Sequence, residues 1–215
     1  MGTLTLNITM SLDGFVAGPH QTLEQPLGAG GEQLHEWVYD LATWRERHGK
    51  SGGEANADDA VIAESLATTG AVIMGRKMFS GGAGPWENDS NAEGWWGDEP
   101  PFGVPVFILT HHARKPVDFA DGTTFNFVTD GIEEALEQAR AAAEDKNVSL
   151  SGGADVAQQY LRAGLVDELD LHIAPVLLGD GVRLFDELGD TLPALEVTRV
   201  IESPAVTHIR YRVLR

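Results

Sequence analysis

Ala71-Val72-Ile73-Met74-Gly75-Arg76-Lys77 decides how the chain is read. Four apolar residues run without a break and give way at once to a glycine and two cations. A continuous run this short fits a strand buried on both faces, the kind found inside a parallel sheet. The same form returns at Val104–Leu109, which leads into Thr110-His111-His112-Ala113-Arg114. It returns again at Val148-Ser149-Leu150, which leads into Ser151-Gly152-Gly153.

Helical patterns separate these runs. Leu34, Trp37, Val38, Leu41 and Trp44 predict a one-sided helix from Glu32 to about Arg47. Asn56 reads as an N-cap with Asp58 and Asp59 in the first turn, opening a helix to about Thr68. Asp130 and Glu133 resemble a capping box ahead of Ile132, Ala135, Leu136 and Ala139. A further helix carries Val156, Ala157, Tyr160 and Leu161 and stops at Gly164. Thr3–Met10 and Glu168–Ile173 alternate as half-buried strands, Thr123–Val128 is another, and Ala194–Ile201 and Val206–Leu214 close the chain. Strands alternating with helices predict one α/β domain over 1–215. Its sheet is mostly parallel with crossover helices, and three final strands add an antiparallel edge. That edge must be paired, covered or charged.

Charge and composition exclude several functions. Lys and Arg number 15 against 33 Asp and Glu, a net charge of −18, which argues against a nucleic-acid partner. No apolar run approaches a bilayer span, and the N-terminus shows no signal-peptide pattern, so the cytoplasm is expected. Cys is absent, which removes disulfides, thiolate metal sites and Cys nucleophiles. His111 and His112 are adjacent and have no carboxylate near in sequence, so no metal is expected there. Neither a G-x-S-x-G elbow nor a G-x-x-x-x-G-K-[ST] loop occurs.

In an open α/β sheet, ligands bind beyond the carboxyl ends of the strands. Four such ends carry suitable residues. Gly152 and Gly153 let backbone approach a ligand ahead of helical N–H groups, although a plain tight turn has the same letters. Gly75-Arg76-Lys77 offers close approach and a phosphate-matching guanidinium, or simply a solvated basic pair. Together with Thr110, His111 and Arg114 it would clasp a phosphate monoester such as the 2′-phosphate of NADP. Asp13-Gly14, in the loop after the first strand, is either a turn or a polar anchor and proton relay beside a reacting ring. Residues 80–103 hold six Gly, three Pro and three Trp, too long for a mere connection, and Trp86 there would wall a flat heterocycle.

These segments resemble a known family. Val72-Ile73-Met74-Gly75-Arg76 is similar to the V-I-M-G-R segment of dihydrofolate reductases. Ser11-Leu12-Asp13-Gly14 resembles the S-x-D-G motif in the reductase domain of the riboflavin-biosynthesis deaminase–reductase. Val106–Thr110, Ser151-Gly152-Gly153 and Val166–Gly181 match the same family in order and spacing. The resemblance implies a dihydrofolate-reductase-like α/β fold, with helices on both faces of the sheet, binding NADPH across the strand ends. By it, Val16 and Ala17 lie near the nicotinamide, and Gly75, Arg76 and Lys77 meet phosphates. Leu109, Thr110 and His111 surround the adenosine end. Gly152, Gly153 and Ala154 hold the pyrophosphate, with Asp155 and Val156 close by. No H-x-E…P-C-x-x-C deaminase signature accompanies them, so a stand-alone reductase domain is expected. The expected activity is NADPH-dependent hydride transfer to a small flat heterocycle or carbonyl compound, an aminopyrimidine or pterin-like molecule. Asp13 would be catalytic, and Phe15 and Trp86 would contact substrate. The rival reading is a non-catalytic nucleotide- or ligand-binding protein that retains the cleft. Homodimers are common in the resembled family.

Overall fold

The computed structural model describes residues 2–189 and 192–215; Met1, where the N-terminal reading begins, and Asp190 and Thr191 lie outside it. The described strands are β1 (Leu4–Ser11), β2 (Phe15–Ala17), β3 (Thr69–Gly75), β4 (Pro105–Leu109), β5 (Val117–Asp118) and β6 (Thr124–Val128). They continue with β7 (Asn147–Gly152), β8 (Glu168–Ala174), β9 (Val182–Arg183), β10 (Ala194–Glu202) and β11 (Thr207–Leu214). The helices are α1 (Ala42–Arg47), α2 (Ala57–Thr68), α3 (Arg76–Ser80), α4 (Ile132–Ala143) and α5 (Ala154–Arg162).

Nine strands form one sheet in the order β10-β11-β8-β1-β7-β3-β4-β6-β5. The six from β8 to β6 are parallel. At one edge β11 and β10 run antiparallel, and at the other so does β5. The expected mixed α/β sheet is therefore present, with two differences. β8, expected to join an antiparallel edge, pairs parallel with β1 because the α5 crossover returns the chain in that direction. The two-residue strand β5 carries no sequence signal of its own.

Alternation along the strands builds two different faces. Leu4, Leu6, Ile73, Leu150, Leu169 and Leu171 point into one core with Leu136 and Ala139 of α4 and Ala157 and Tyr160 of α5. The opposite face is divided. Over β3, β4 and β6, Val72, Met74, Val106, Ile108 and Phe125 meet Phe79, Trp86, Trp96 and Phe102. Over β1, β8 and β11, α2 and the Trp37 segment cover polar side chains: Asn7 contacts Ser65, and His208 contacts Asp58. The segment 80–103 is thus the wall of a second apolar core, which accounts for two of its tryptophans, Trp86 and Trp96.

The helix expected over 32–47 is broken. A 3₁₀ turn at Gly31–Leu34 is followed by i→i+3 bonds from His35, Val38 and Leu41, and only α1 is α-helical. Leu34, Trp37, Val38 and Leu41 still bury. Pairing of Leu41 with Glu54 competes for the backbone there: Ala42 N–H reaches Glu54 O, and Glu54 N–H reaches Asp40 O. The capping box at Asp130 does not form either. Gly131, at φ +95, takes the cap position without a side-chain cap. The Asn56 cap does form, its Oδ1 accepting from Asp59 N–H at 3.1 Å. Among the described residues no helix is long and apolar enough to cross a membrane.

Candidate active site

Parallel strands bring their carboxyl ends to one rim. In register, Gly75 of β3 lies beside Leu109 of β4, and Met74 lies beside Gly152 of β7. The absence of side chains lets these elements close up. A Cβ on Gly75 would stand 2.7 Å from Val156 Cγ2 and 3.8 Å from Gly153 N, so the strand end touches the head of α5 directly. Gly152 has φ +114, and a cis peptide joins it to Gly153. Nothing lies within 4 Å of a Cβ placed on Gly153, leaving its backbone open to an approaching ligand. Ala154 and Val156 are buried on α5; Val156 N–H donates to Gly153 O at 3.1 Å, while the N–H groups of Ala154 and Asp155 come ahead of the first intrahelical bond. Asp155 is exposed, with Lys77 Nζ 3.7 Å from its carboxylate, a solvated pair of little energetic weight.

Arg76 is not a free phosphate-binding fork. Its Nε donates to Ser80 Oγ at 2.9 Å, its Nη2 pairs with Asp89, and its carbon Cζ stands 3.1 Å from the Trp86 ring centroid. Only Nη1 remains without a partner, and it is buried. Burial raises the Asp89 pKa, but hydrogen bonds from Arg76, Ser80 and the Asn91 N–H outweigh that and hold it below the ordinary carboxylate range. Asp89 lies in the segment whose sequence showed no periodicity.

Trp86 belongs to this corner. Its Nε1 donates to His112 O at 2.7 Å, and its ring packs edge-on against Phe127 at 4.9 Å. Thr110 is buried: its N–H reaches Val128 O at 3.0 Å and its Oγ1 accepts from His112 N–H at 3.1 Å. Leu109 is half-buried and His111 points to solvent. Among the described residues no ring contact joins Trp86 to Phe15.

At the far end, Asp13 fastens two loops together. Its Oδ1 accepts from Ser11 Oγ at 2.6 Å and Leu178 N–H at 3.2 Å, and its Oδ2 accepts from Gly179 N–H at 2.7 Å. The Ser11 hydrogen bond does most to lower its pKa; with those from Gly179 and Leu178 it outweighs the burial that raises it and brings it down to about 2. Such a group stays a carboxylate near neutral pH. Phe15 and Ala17 of β2 are buried and Val16 is half-buried. Arg183 of β9 lies over the Phe15 ring at 4.3 Å and donates to Asp13 O at 3.1 Å. Arg183 was not singled out in the sequence, where a lone cation after Gly181 gives no signal.

The rim therefore joins Gly75, Leu109, Thr110, Gly152, Gly153, Ala154 and Val156 along adjacent strands, with Lys77, His111 and Asp155 exposed beside them. Asp13, Phe15, Val16 and Ala17 form a separate group at the end of β1. Gly152 bridges toward β1, since a Cβ there would meet Ile8 Cδ1 at 3.5 Å and Met78 Sδ at 3.7 Å.

Known proteins share this fold. The chain overlays on 99% of its length with a crystal structure of a candidate riboflavin biosynthesis protein from Shewanella sp. PV-4, itself covered to 99%, at TM-score 0.64 and 20% identity. It overlays completely on Acinetobacter baumannii RibD, of which it covers 59%, at TM-score 0.59 and 17% identity. These likenesses establish a shared fold. In sequence, 56 residues are 38% identical to the riboflavin biosynthesis protein RibD of Mycobacterium tuberculosis H37Rv, covering 26% of this chain and 16% of that protein. Over 85 residues it is 33% identical to YyaP of Bacillus subtilis 168, covering 40% of this chain and 45% of that one. The matched segments thus span less than half the length of either relative. Residues 2–208 match the model of the RibD C-terminal domain, and the chain belongs to that family.

Proposed function

We propose that the chain is a cytoplasmic NADPH-dependent reductase acting on a small flat heterocyclic or carbonyl substrate of the aminopyrimidine or pterin-like kind. One observation carries the reading: Gly75, Gly152 and Gly153 meet at neighbouring strand ends beneath the head of α5, and the backbone at Gly153 is open. A dinucleotide pyrophosphate fits such a cradle, because helix-head N–H groups favour an anion and no Cβ stands in its way.

In this proposal Gly152, Gly153 and Ala154 hold the pyrophosphate, with Asp155 and Val156 shaping the turn beneath it. Leu109 and Thr110 border the adenosine. Lys77 and His111, both exposed, take the ribose phosphate, and Arg76 contributes mainly by tying α3 to Asp89. Val16 and Ala17 border the nicotinamide, and Phe15 backs that wall from within. The bound nicotinamide supplies the hydride. Asp13 acts as a positioning residue that holds Leu178 and Gly179 against the β1 end, because a carboxylate of such low pKa is a poor proton relay near neutral pH. Trp86 serves the adenosine corner rather than the substrate.

Titrating the protein's tryptophan fluorescence with NADPH and NADH tests the proposal. Saturable quenching at submillimolar concentration, tighter for NADPH, is expected, and no quenching by either overturns it. The occupied carboxylate of Asp13 favours a second reading, nucleotide binding without turnover. NADPH consumption over aminopyrimidine, pterin and carbonyl panels separates the two.

A further inference from the structure

The loops beyond β1 and β8 build one cap over those strand ends. Leu12 N–H donates to Val176 O at 2.9 Å, and Leu184 N–H donates to Gly14 O at 3.1 Å. The 3₁₀ turn joins them: a Cβ on Gly30 would stand 3.3 Å from Leu178 Cδ2, and one on Gly31 would stand 3.3 Å from Gly18 N. Asp13 adds its bonds to Leu178 and Gly179. The charge of this cap is one-sided. Residues 12–41 and 174–184 carry Asp13, Glu24, Glu32, Glu36, Asp40 and Asp180, and among Lys and Arg only Arg183. The chain has no Lys or Arg before Arg45 and none between Arg162 and Arg183.

The arginines nearest to it are already engaged. Arg183 donates to Asp13 O and lies over the Phe15 ring. Arg45 donates to Ser51 O through Nε and Nη2, and its Nη1 stands 3.8 Å from Asp40. Burial lowers the His35 pKa against the pull of Glu32, so this imidazole is neutral near neutral pH. The cofactor end of the rim has another balance. Residues 75–77 and 109–116 hold Arg76, Lys77, Arg114 and Lys115 and no carboxylate. Asp89, Asp155 and Glu93 answer three of these cations, so that end is close to neutral while the cap is strongly negative.

We infer that the substrate of this site is an unphosphorylated ring, uncharged or cationic, and that the cap turns away phosphate esters of the same ring. The inference rests on the reductase reading, which sets the nicotinamide against Val16 and Ala17 and therefore the substrate against this cap. A phosphate monoester carries nearly two negative charges near neutral pH and is held by cations or free N–H groups. Asp13 already takes the N–H groups of Leu178 and Gly179. Leu12 and Leu177 expose 67% and 72% of their surface on the same loops, so the mouth is apolar as well as acidic. Discrimination here comes from a repulsive field that acts partly through solvent, and salt weakens such a field.

Calorimetric titration with matched probes tests it: cytidine against cytidine 5′-monophosphate, and guanosine against guanosine 5′-monophosphate. Each pair shares an amino-substituted pyrimidine ring and differs by one phosphate. The protein is first saturated with oxidised NADP, so that the cofactor's own phosphate subsites are filled. The nucleoside of at least one pair is expected to bind at least about tenfold more tightly than its phosphate at low salt. That gap should shrink as salt rises from about 0.02 to about 0.5 M. Glu36→Lys combined with Asp40→Lys, both exposed positions, should shrink it at low salt as well. Phosphates that bind as tightly as their nucleosides overturn the inference and leave the reductase reading standing, because NADP is bound throughout. A gap that neither salt nor the double variant changes overturns it too, since the cause is then not charge. So does the failure of all four probes to bind beside NADP. Failure of NADP itself to bind defeats the reductase reading, and the inference falls with it.

Discussion

His172 Nδ1 and His208 Nδ1 lie 2.7 Å apart in the buried layer beneath α2, and a hydrogen bond between two such atoms requires that only one of them carry a proton. The neighbours assign it. His172 Nε2 meets Asn7 Oδ1 at 3.3 Å, and Asn7 Nδ2 donates to Ser65 Oγ at 3.3 Å, so His172 donates through Nε2 and accepts at Nδ1. His208 Nδ1 then donates to His172, and its Nε2 lies 2.8 Å from Asp58 Oδ1. Trp37 flanks both rings at 5.2 and 5.3 Å. The chain of contacts runs from Asn7 through His172 and His208 to Asp58.

This arrangement makes stability depend on pH. Burial first, then His208 and Arg210, lower the His172 pKa from 6.5 to about 4 against the opposing pull of Asp170 and Asp58. Between those values the unfolded chain binds a proton on His172 that the folded chain does not. Stability therefore falls as pH drops through that window and this contribution levels off below it. Thermal unfolding followed from neutral to acid pH should show the decline, and His172→Gln should flatten it. An unchanged slope in the variant would remove His172 as the cause.

Asp13 leads to a different pH expectation. Its carboxylate remains charged until pH approaches about 2, so it contributes no titration near neutrality. Asp13→Asn keeps one acceptor oxygen but replaces the other with a donor, which cannot serve both Ser11 Oγ and Gly179 N–H. NADPH affinity or turnover should drop, while the positions of the limbs in the pH–rate profile stay where they are in the wild type. A shifted limb would restore Asp13 as a proton relay.

Arg76 and Asp89 form a buried pair, and removing one side strands the other. Arg76→Ala should cost about 3 kcal/mol in denaturant unfolding, because Asp89 keeps its charge and loses its counter-ion. The double variant Arg76→Met with Asp89→Asn should recover part of that loss. If both variants unfold like the wild type, the pair is not structural and Arg76 regains its place as a cofactor ligand.

Much of the architecture was legible because it is written locally. Apolar runs ending in Gly75, Thr110 and Gly152 mark parallel strands and their rim, since burial and glycine turns depend on neighbours in sequence. The break in residues 32–47 was not legible: Leu34, Trp37, Val38 and Leu41 recur at intervals of three and four, which 3₁₀ turns and an α-helix both satisfy. Arg76 read as a ligand because its partner Asp89 sits in a loop without periodicity. His172 alternates with Leu171 and Ile173, which leaves its face of the strand open to either a structural or a surface role; only the packing of α2 across that face buries it with His208. The Asp13 clasp was half visible, as a turn aspartate, while the Leu178 and Gly179 groups it holds are distant in sequence.

Gly75 supplies the most direct test of the rim. Its φ is −82, so an alanine suffers no backbone strain there, and the only obstacle is Val156 Cγ2 at 2.7 Å from the new methyl. Overpacking of this kind costs about 1–3 kcal/mol and pushes the head of α5 away from β3. Gly75→Ala should therefore lower both stability and NADPH affinity, the latter about tenfold if the Gly153 backbone moves with the helix. Val156→Ala removes the obstructing methyl, so combining it with Gly75→Ala should return affinity toward that of Val156→Ala alone. Calorimetric titration of the four proteins yields the coupling between the two positions. A coupling near zero would mean that β3 and the head of α5 do not share one binding surface.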